Sequence, residues 1–196
     1  MKKIVLLGDS IRLSYEGRVK ERLGARANVW SPTENCGHSV SHVFNLRDWY
    51  VLTDADVIHF NFGLWDCRRL RRGLDDTLVP VEVFARNLGR IIETIREQTR
   101  AVPVWATLTP MIEALYNGRN PRACDPWRQS GDIERYNEAA MAVARRHGVA
   151  INDLYALVKA RGEENMINED GLHYTAEGAH ALGDQVAEVI AGELGL

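Results

Sequence analysis

Cysteine is scarce in this chain. Cys36, Cys67 and Cys124 are three in 196 residues, an odd number at wide spacing, with no CxxC pair. That excludes a disulfide framework and gives no support to a cysteine metal site, so free thiols in a reducing compartment are expected. A surplus of one charge sign is missing too. The 24 Lys+Arg and 27 Asp+Glu leave a net charge of −3, a poor footprint for a nucleic-acid partner. No apolar run approaches the roughly 18 residues that span a bilayer. The first run, Ile4–Leu7, stops at Gly8-Asp9, short of the ~7–15 residues of a signal peptide. A cytoplasmic protein without membrane insertion is therefore expected. Repeats, low-complexity tracts and Pro/Gly/Ser linkers are also absent, so residues 1–196 read as one domain. What is present is an ordinary globular composition, 45% hydrophobic and 26% charged. A chain of this length can bury a core without a disulfide or a structural metal.

Strand-like and helix-like patterns alternate along the chain. Short apolar runs at Lys3–Leu7, Ala27–Trp30, Asp56–Phe62, Val102–Leu108 and Gly148–Asn152 read as strands covered on both faces. Phe84, Leu88, Ile91, Ile92 and Ile95 fall on one face of a helix, with Pro80 placed for its start. Tyr136, Ala140, Val143 and Ala144 mark a second helix within Ile133–Arg146. Ala179, Leu182, Val186, Val189 and Ile190 mark a third, with Thr175 as its N-cap. The alternation predicts an α/β domain with right-handed crossovers, and in such sheets ligands sit beyond the carboxyl ends of the strands. The residues just after each strand are thus the place to look for chemistry.

After the first run comes Gly8-Asp9-Ser10. A serine at a helix start lies beside free backbone N–H groups and the positive end of the helix dipole, which suits a nucleophile and its oxyanion. Taken alone, this triplet fits an N-cap serine better. Near the C-terminus, Asp170-Gly171-Leu172-His173 places an acid three residues before a histidine, so one loop supplies a general base and its orienting carboxylate. Asn35-Cys36-Gly37 follows the second run, where Gly37 lets backbone approach a ligand. Gly63-Leu64-Trp65-Asp66 follows the third.

Four such turns in this order resemble the SGNH, or GDSL-type, hydrolases over nearly the whole chain. Gly8-Asp9-Ser10 matches the first block of that family and Asn35-x-Gly37 the second. Gly63-x-x-Asp66 matches the frame of the third, Asp170-x-x-His173 the fifth, and Thr107-Leu108-Thr109-Pro110 is also similar to the family. The resemblance implies a three-layer α/β/α domain around a central, mostly parallel, five-stranded sheet of flavodoxin-like type. It implies a serine ester hydrolase with Ser10 as nucleophile, His173 as base and Asp170 as acid, and with an oxyanion hole from the N–H groups of Ser10 and Gly37. No metal and no organic cofactor are required. One departure stands out. The family's third block is Gly-x-Asn-Asp, whose Asn donates to the oxyanion, and Trp65 stands in its place. Trp65 itself, nearby Asn61, or the two backbone N–H groups alone are the alternatives, with a replacement donor preferred.

Substrate signals are fainter. Arg68, Arg69, Arg71 and Arg72 follow the third turn, and the stretch 116–129, read as a long loop able to form a lid or wall, carries Tyr116, Arg119, Arg122, Trp127 and Arg128. Arginines and aromatics at a site mouth suit a small-molecule or saccharide acyl ester, with Arg68 and Trp127 as contacts, although a solvated face is the commoner meaning of such a charge run. Arg12 is expected to make a surface salt bridge, or else to orient carbonyls or substrate. His38 and His42 have the spacing of a helical metal pair but no third ligand, so no metal site is expected. The expected reaction is removal of a short acyl group, acetyl first, from a polar carbohydrate. A lipase, a thioesterase, an acyltransferase or a binding module of the same fold are the rivals.

Overall fold

The computed structural model describes residues 1–73, 75–122 and 124–196. Five strands, β1 (Lys2–Leu7), β2 (Ala27–Trp30), β3 (Val57–Phe60), β4 (Val102–Ala106) and β5 (Ala150–Asn152), form one sheet in the order β2-β1-β3-β4-β5. Every pairing is parallel, so the expected mostly parallel sheet is wholly so. In register, Leu7 lies beside Phe60, and Phe60 beside Trp105. The strand ends that carry the glycine turns are thereby aligned at one edge. Three of the apolar runs overreach the paired strands by two residues at an end: Asn61-Phe62 and Thr107-Leu108 are buried by packing beyond the strand ends, and at Gly148-Val149 only Val149 is buried.

Helices cover both faces. The main ones are α1 (Ser10–Leu23), α2 (Ser39–Phe44), α3 (Val81–Gln98), α4 (Glu113–Arg119), α5 (Ser130–Arg146), α6 (Leu154–Arg161), α7 (Glu163–Met166) and α8 (Ala176–Leu194). Helix α1 packs on α8, and α3 packs on α2 and α5. The expected faces are the buried ones: Phe84, Leu88, Ile91, Ile92 and Ile95 of α3 are fully enclosed. Each large aliphatic buried this way contributes about 1.5–3 kcal/mol. Thr175 caps α8 by accepting from the Gly178 N–H. Under the site, Phe60, Phe62, Phe84 and Trp105 meet with ring centroids 5.0–6.3 Å apart. This aromatic block is a stiff floor for the turns above it.

Two expectations are corrected here. Arg69 does not belong to a solvated face. It is 8% exposed and pairs with Asp132 at 2.7 Å, locking the segment after β3 onto α5. The stretch 116–129 is not a loop throughout, since α4 takes in its start. Ala123 of that stretch lies outside the described residues.

Candidate active site

The Gly8-Asp9-Ser10 turn leaves β1 and enters α1 directly. Asp9, not Ser10, is the N-cap: its Oδ1 accepts from the Ile11 N–H at 2.9 Å. The serine hydroxyl is thereby released from capping, and Ser10 stands at the first helical position among orphan N–H donors. Gly8 has to be glycine, because a Cβ there would fall 2.5 Å from Asn61 Oδ1. The β1 and β3 turns touch at that point.

His173 comes from the connection between α7 and α8. Its Nε2 lies 2.9 Å from Ser10 Oγ, and its Nδ1 lies 2.7 Å from Asp170 Oδ2. Residues 163 positions apart in sequence are thus joined in one hydrogen-bonded series. Asp170 Oδ1 accepts the backbone N–H groups of Leu172 and His173, each at 2.8 Å. Asn168 holds the loop's other end. Its side-chain oxygen accepts from the Asp170 N–H, and its own N–H donates to the His173 carbonyl. Partial burial pushes the Asp170 carboxyl up, but the hydrogen bonds from the His173 backbone, the His173 ring and the Leu172 N–H outweigh it. The group stays below the usual carboxylate range. It is ionised at neutral pH and fixes the proton of His173 on Nδ1, leaving Nε2 to accept from Ser10. The group faces solvent, with 41% of the His173 side chain and 34% of the Asp170 side chain exposed.

Gly37 follows β2. Its N–H donates to Asn35 Oδ1 at 2.9 Å, so this donor is occupied by its own loop when no ligand is present. The loop is anchored from both sides. The Cys36 N–H donates to the Gly8 carbonyl, and Asp66 accepts the Ser39 N–H at 2.9 Å. Asn87 donates to Ser39 Oγ at 3.0 Å and completes that anchor. Burial lifts the Asp66 carboxyl to about 6, against the pull of its bonds to Ser39.

The third turn begins at Gly63, whose φ of +134° and close approach to Leu108 exclude a side chain. Asn61 is 1% exposed, and its Oδ1, on the Gly8 side, meets no partner. Trp65 is engaged otherwise, with the Arg68 guanidinium 5.1 Å from its ring centroid.

The remaining expected contacts divide. Arg12 makes no surface salt bridge. It is fully buried, and it donates to the carbonyls of Pro32 at 2.8 Å and Glu34 at 2.6 Å, with Glu16 as its counter-ion. It therefore orients backbone carbonyls beneath the Gly37 loop instead of facing a ligand. Arg68 lies beside the third turn. Trp127 lines a groove of about 440 Å³ with Arg72, Glu113 and Asn117, and Arg72 stacks on it at 4.3 Å. Neither Ser10 nor His173 lines that groove. His38 caps α2 through Nδ1, whereas His42 is buried against Tyr50, so the pair does not face one centre. Among the described residues no group of three His, Cys, Asp or Glu is placed to hold a metal ion. None of their helices is long and apolar enough to cross a membrane.

Sequence reasoning missed Asn168 and the Ser39–Asp66 anchor. Asn168 left a faint signal, an Asn two residues before an Asp, which suits a side-chain-to-backbone turn. The anchor left none, because its members are 27 residues apart.

No curated protein sequence matches the chain. Among solved structures, a lipase/acylhydrolase from Enterococcus faecalis superposes with a TM-score of 0.78 at 25% identity, covering 98% of this chain and 96% of that one. A carbohydrate acetylesterase family member from Sinorhizobium meliloti gives 0.76 at 15% identity, covering all of both chains. An acetyl xylan esterase, AlAXEase, gives 0.75 at 17%, covering 96% and 99%. These last two share the fold. The sequence profile of one family, described as GDSL-like Lipase/Acylhydrolase, matches residues 6–181. With that match spanning most of its length, the chain belongs to the GDSL-like lipase/acylhydrolase family.

Proposed function

We propose that this acylhydrolase is a serine esterase that removes a short acyl group, acetyl first, from a polar carbohydrate substrate. The observation that carries the reading is the series Ser10 Oγ, His173 Nε2 and Nδ1, Asp170 Oδ2, at 2.9 and 2.7 Å. Ser10 Oγ attacks the ester carbonyl while His173 Nε2 takes its proton. The tetrahedral intermediate collapses as the bond to the alcohol oxygen breaks, and His173 returns the proton to that leaving oxygen. Water then attacks the acyl-serine, gives its proton to His173, and Ser10 leaves with a proton restored. Asp170 keeps the imidazole in the required tautomer throughout and stabilises the imidazolium.

The oxyanion is received by the N–H groups of Ser10 and Gly37, with Asn35 releasing the latter. The third donor is the Asn61 side-chain NH2, from a residue buried beside the Gly8 turn, whereas Trp65 is stacked with Arg68. The solvent exposure of His173 and Asp170 supports a small acyl group on a polar alcohol. The fold is also that of a carbohydrate acetylesterase and an acetyl xylan esterase.

Initial rates on p-nitrophenyl esters of two to ten carbons, run beside acetylated xylose, test this reading. Acetate is expected to be cleaved fastest, acetylated xylose to be deacetylated, and Ser10→Ala to lose roughly 10⁴-fold or more in kcat. A Ser10-dependent preference for the decanoate would make the protein a lipase or thioesterase. Survival of the activity in Ser10→Ala would remove the mechanism.

A further inference from the structure

Among the described residues three arginines are nine-tenths buried or more: Arg12, Arg69 and Arg128. Two have carboxylates in contact. Arg12 pairs with Glu16, and Arg69 with Asp132 and Asp75. Arg128, 4% exposed, has none among the described residues. Its Nη1 donates to the Leu64 carbonyl, and its Cζ lies 5.4 Å from the centroid of the Tyr116 ring. Nε meets no acceptor, and no protein group among the described residues meets Nη2. A guanidinium taken out of water without a counter-ion is costly, and cannot shed its charge by losing a proton. Its neighbours hold it there all the same: Asn117 Nδ2 donates to the Arg128 carbonyl at 2.7 Å, and the Arg128 N–H donates to Asn117 Oδ1 at 3.2 Å.

Its position is at the turn after β3, which abuts the nucleophile turn at Gly8. Leu64 belongs to the third turn. Asp9, directly before Ser10, is buried, and that burial lifts its carboxyl. The Ile11 N–H and the charges of Arg128 and His173 pull it back. Arg128 and His173 therefore both lie within electrostatic reach of one residue in the nucleophile turn. Arg68 adds a second guanidinium, stacked over Trp65, with a buried Nε that also lacks a partner. Two guanidinium groups, each with an unfilled Nε, thus meet the turn Gly63–Asp66.

We propose that Arg128, assisted by Arg68, is an anion-recognition subsite that selects acyl esters whose alcohol portion carries a carboxylate or a phosphate. It rests on the reading of Ser10 as the esterase nucleophile and names the substrate class of that site. The anion supplies a counter-charge in contact with the guanidinium, where Asp9 acts at longer range, through charge-assisted bonds to the unfilled donors.

The test compares kcat/KM on acetylated methyl glucuronoside, acetylated glucose 6-phosphate and neutral acetylated methyl glucoside. At least one anionic ester is expected to exceed the neutral one by tenfold or more, and the better of the two identifies the anion. Arg128→Gln is expected to lower that ratio at least tenfold, Arg68→Gln to lower it less, and Arg128→Lys to retain part of it. An anionic-to-neutral ratio near one in the wild type, or one that Arg128→Gln leaves unchanged, overturns the proposal. If Arg128→Gln does not fold, 0.5 M salt serves on the wild type: a ratio that salt does not reduce overturns the proposal. Calorimetry on Ser10→Ala separates the two readings without turnover. Glucuronate or glucose 6-phosphate binding tenfold tighter than glucose supports the subsite even if no ester is cleaved, whereas cleavage of the neutral ester with equal affinity for all three ligands sinks the subsite alone.

Discussion

The guanidinium of Arg12 donates to the backbone carbonyl of Glu34 at 2.6 Å, tying the helix that opens with Ser10 to the loop that carries Gly37. A second bond reaches the Pro32 carbonyl, and Cys36 returns one from its N–H to Gly8. The spacing between the serine and the glycine N–H is thus set by a side chain that touches neither. Arg12→Lys cannot span both carbonyls with one fork. It is expected to lower kcat on p-nitrophenyl acetate at least tenfold with KM changed less than threefold. Arg12→Ala leaves two carbonyls without their donor, while Glu16 keeps Ser31 and Lys20, and it is expected to cost about 1–3 kcal/mol per carbonyl in denaturant unfolding. An Arg12→Lys enzyme with wild-type kcat would show that the loop holds itself.

Asn61 and Trp65 make opposite predictions. If the Asn61 amide receives the oxyanion, Asn61→Ala lowers kcat by about 10²–10³ with a small change in KM. Trp65→Phe, which removes only the indole N–H, changes kcat less than threefold. The reverse pattern would assign the donor to Trp65.

Asp170→Asn keeps the shape of the loop but cannot hold the Nδ1 proton in the same way. A loss near 10⁴ in kcat is expected, with the melting temperature within a few degrees of wild type. A loss below tenfold would reduce Asp170 to a turn-former that serves the Leu172 and His173 N–H groups.

Two buried histidines set an acid limit. Burial lowers His59 to about 4, and burial, then the charges of His38 and Arg12, lowers His42 to about 3. An unfolded histidine takes its proton near 6.5. Below that pH the unfolded chain binds more protons, so stability is full above about 6.5 and declines toward 4 and 3. Each histidine contributes at most about 1.4 kcal/mol per pH unit. Asp66 acts with the opposite sign. Its carboxyl is lifted to about 6, so the folded state holds that proton more tightly, and its contribution is lost as pH rises from about 4 through 6. His59→Gln is expected to reduce the stability lost between pH 6.5 and 5 by up to about 2 kcal/mol, and Asp66→Asn to increase it. Urea unfolding at the two pH values measures both. Parallel curves for wild type and His59→Gln would contradict the assignment.

Much of this fold is legible in local pattern. Parallel strands buried on both faces leave short apolar runs, and α3, α5 and α8 turn one apolar stripe inward. The turns after β1, β2 and β3 could be found because glycine is needed where neighbouring side chains crowd the backbone, as at Gly8 and Gly63, or where φ is positive, as at Gly37. What stayed hidden depends on partners far away in sequence. Arg12 and Arg69 look like surface charges until Glu34 and Asp132 arrive from 22 and 63 residues off. Ser10 and Asp9 are equally good caps by composition, and only the reach of His173 across 163 residues separates them. Helix α4 escaped because one turn of apolar residues beside Gly118 carries too little periodicity to show.

The most direct measurement of the central claim is covalent labelling with a small fluorophosphonate, read by peptide mass spectrometry. A single adduct on the peptide holding Ser10 is expected, forming at least 100-fold more slowly in His173→Ala and not at all in Ser10→Ala. A folded wild-type protein that takes no label, or one that takes it elsewhere while Ser10→Ala labels equally well, would contradict the assignment of Ser10 as the nucleophile.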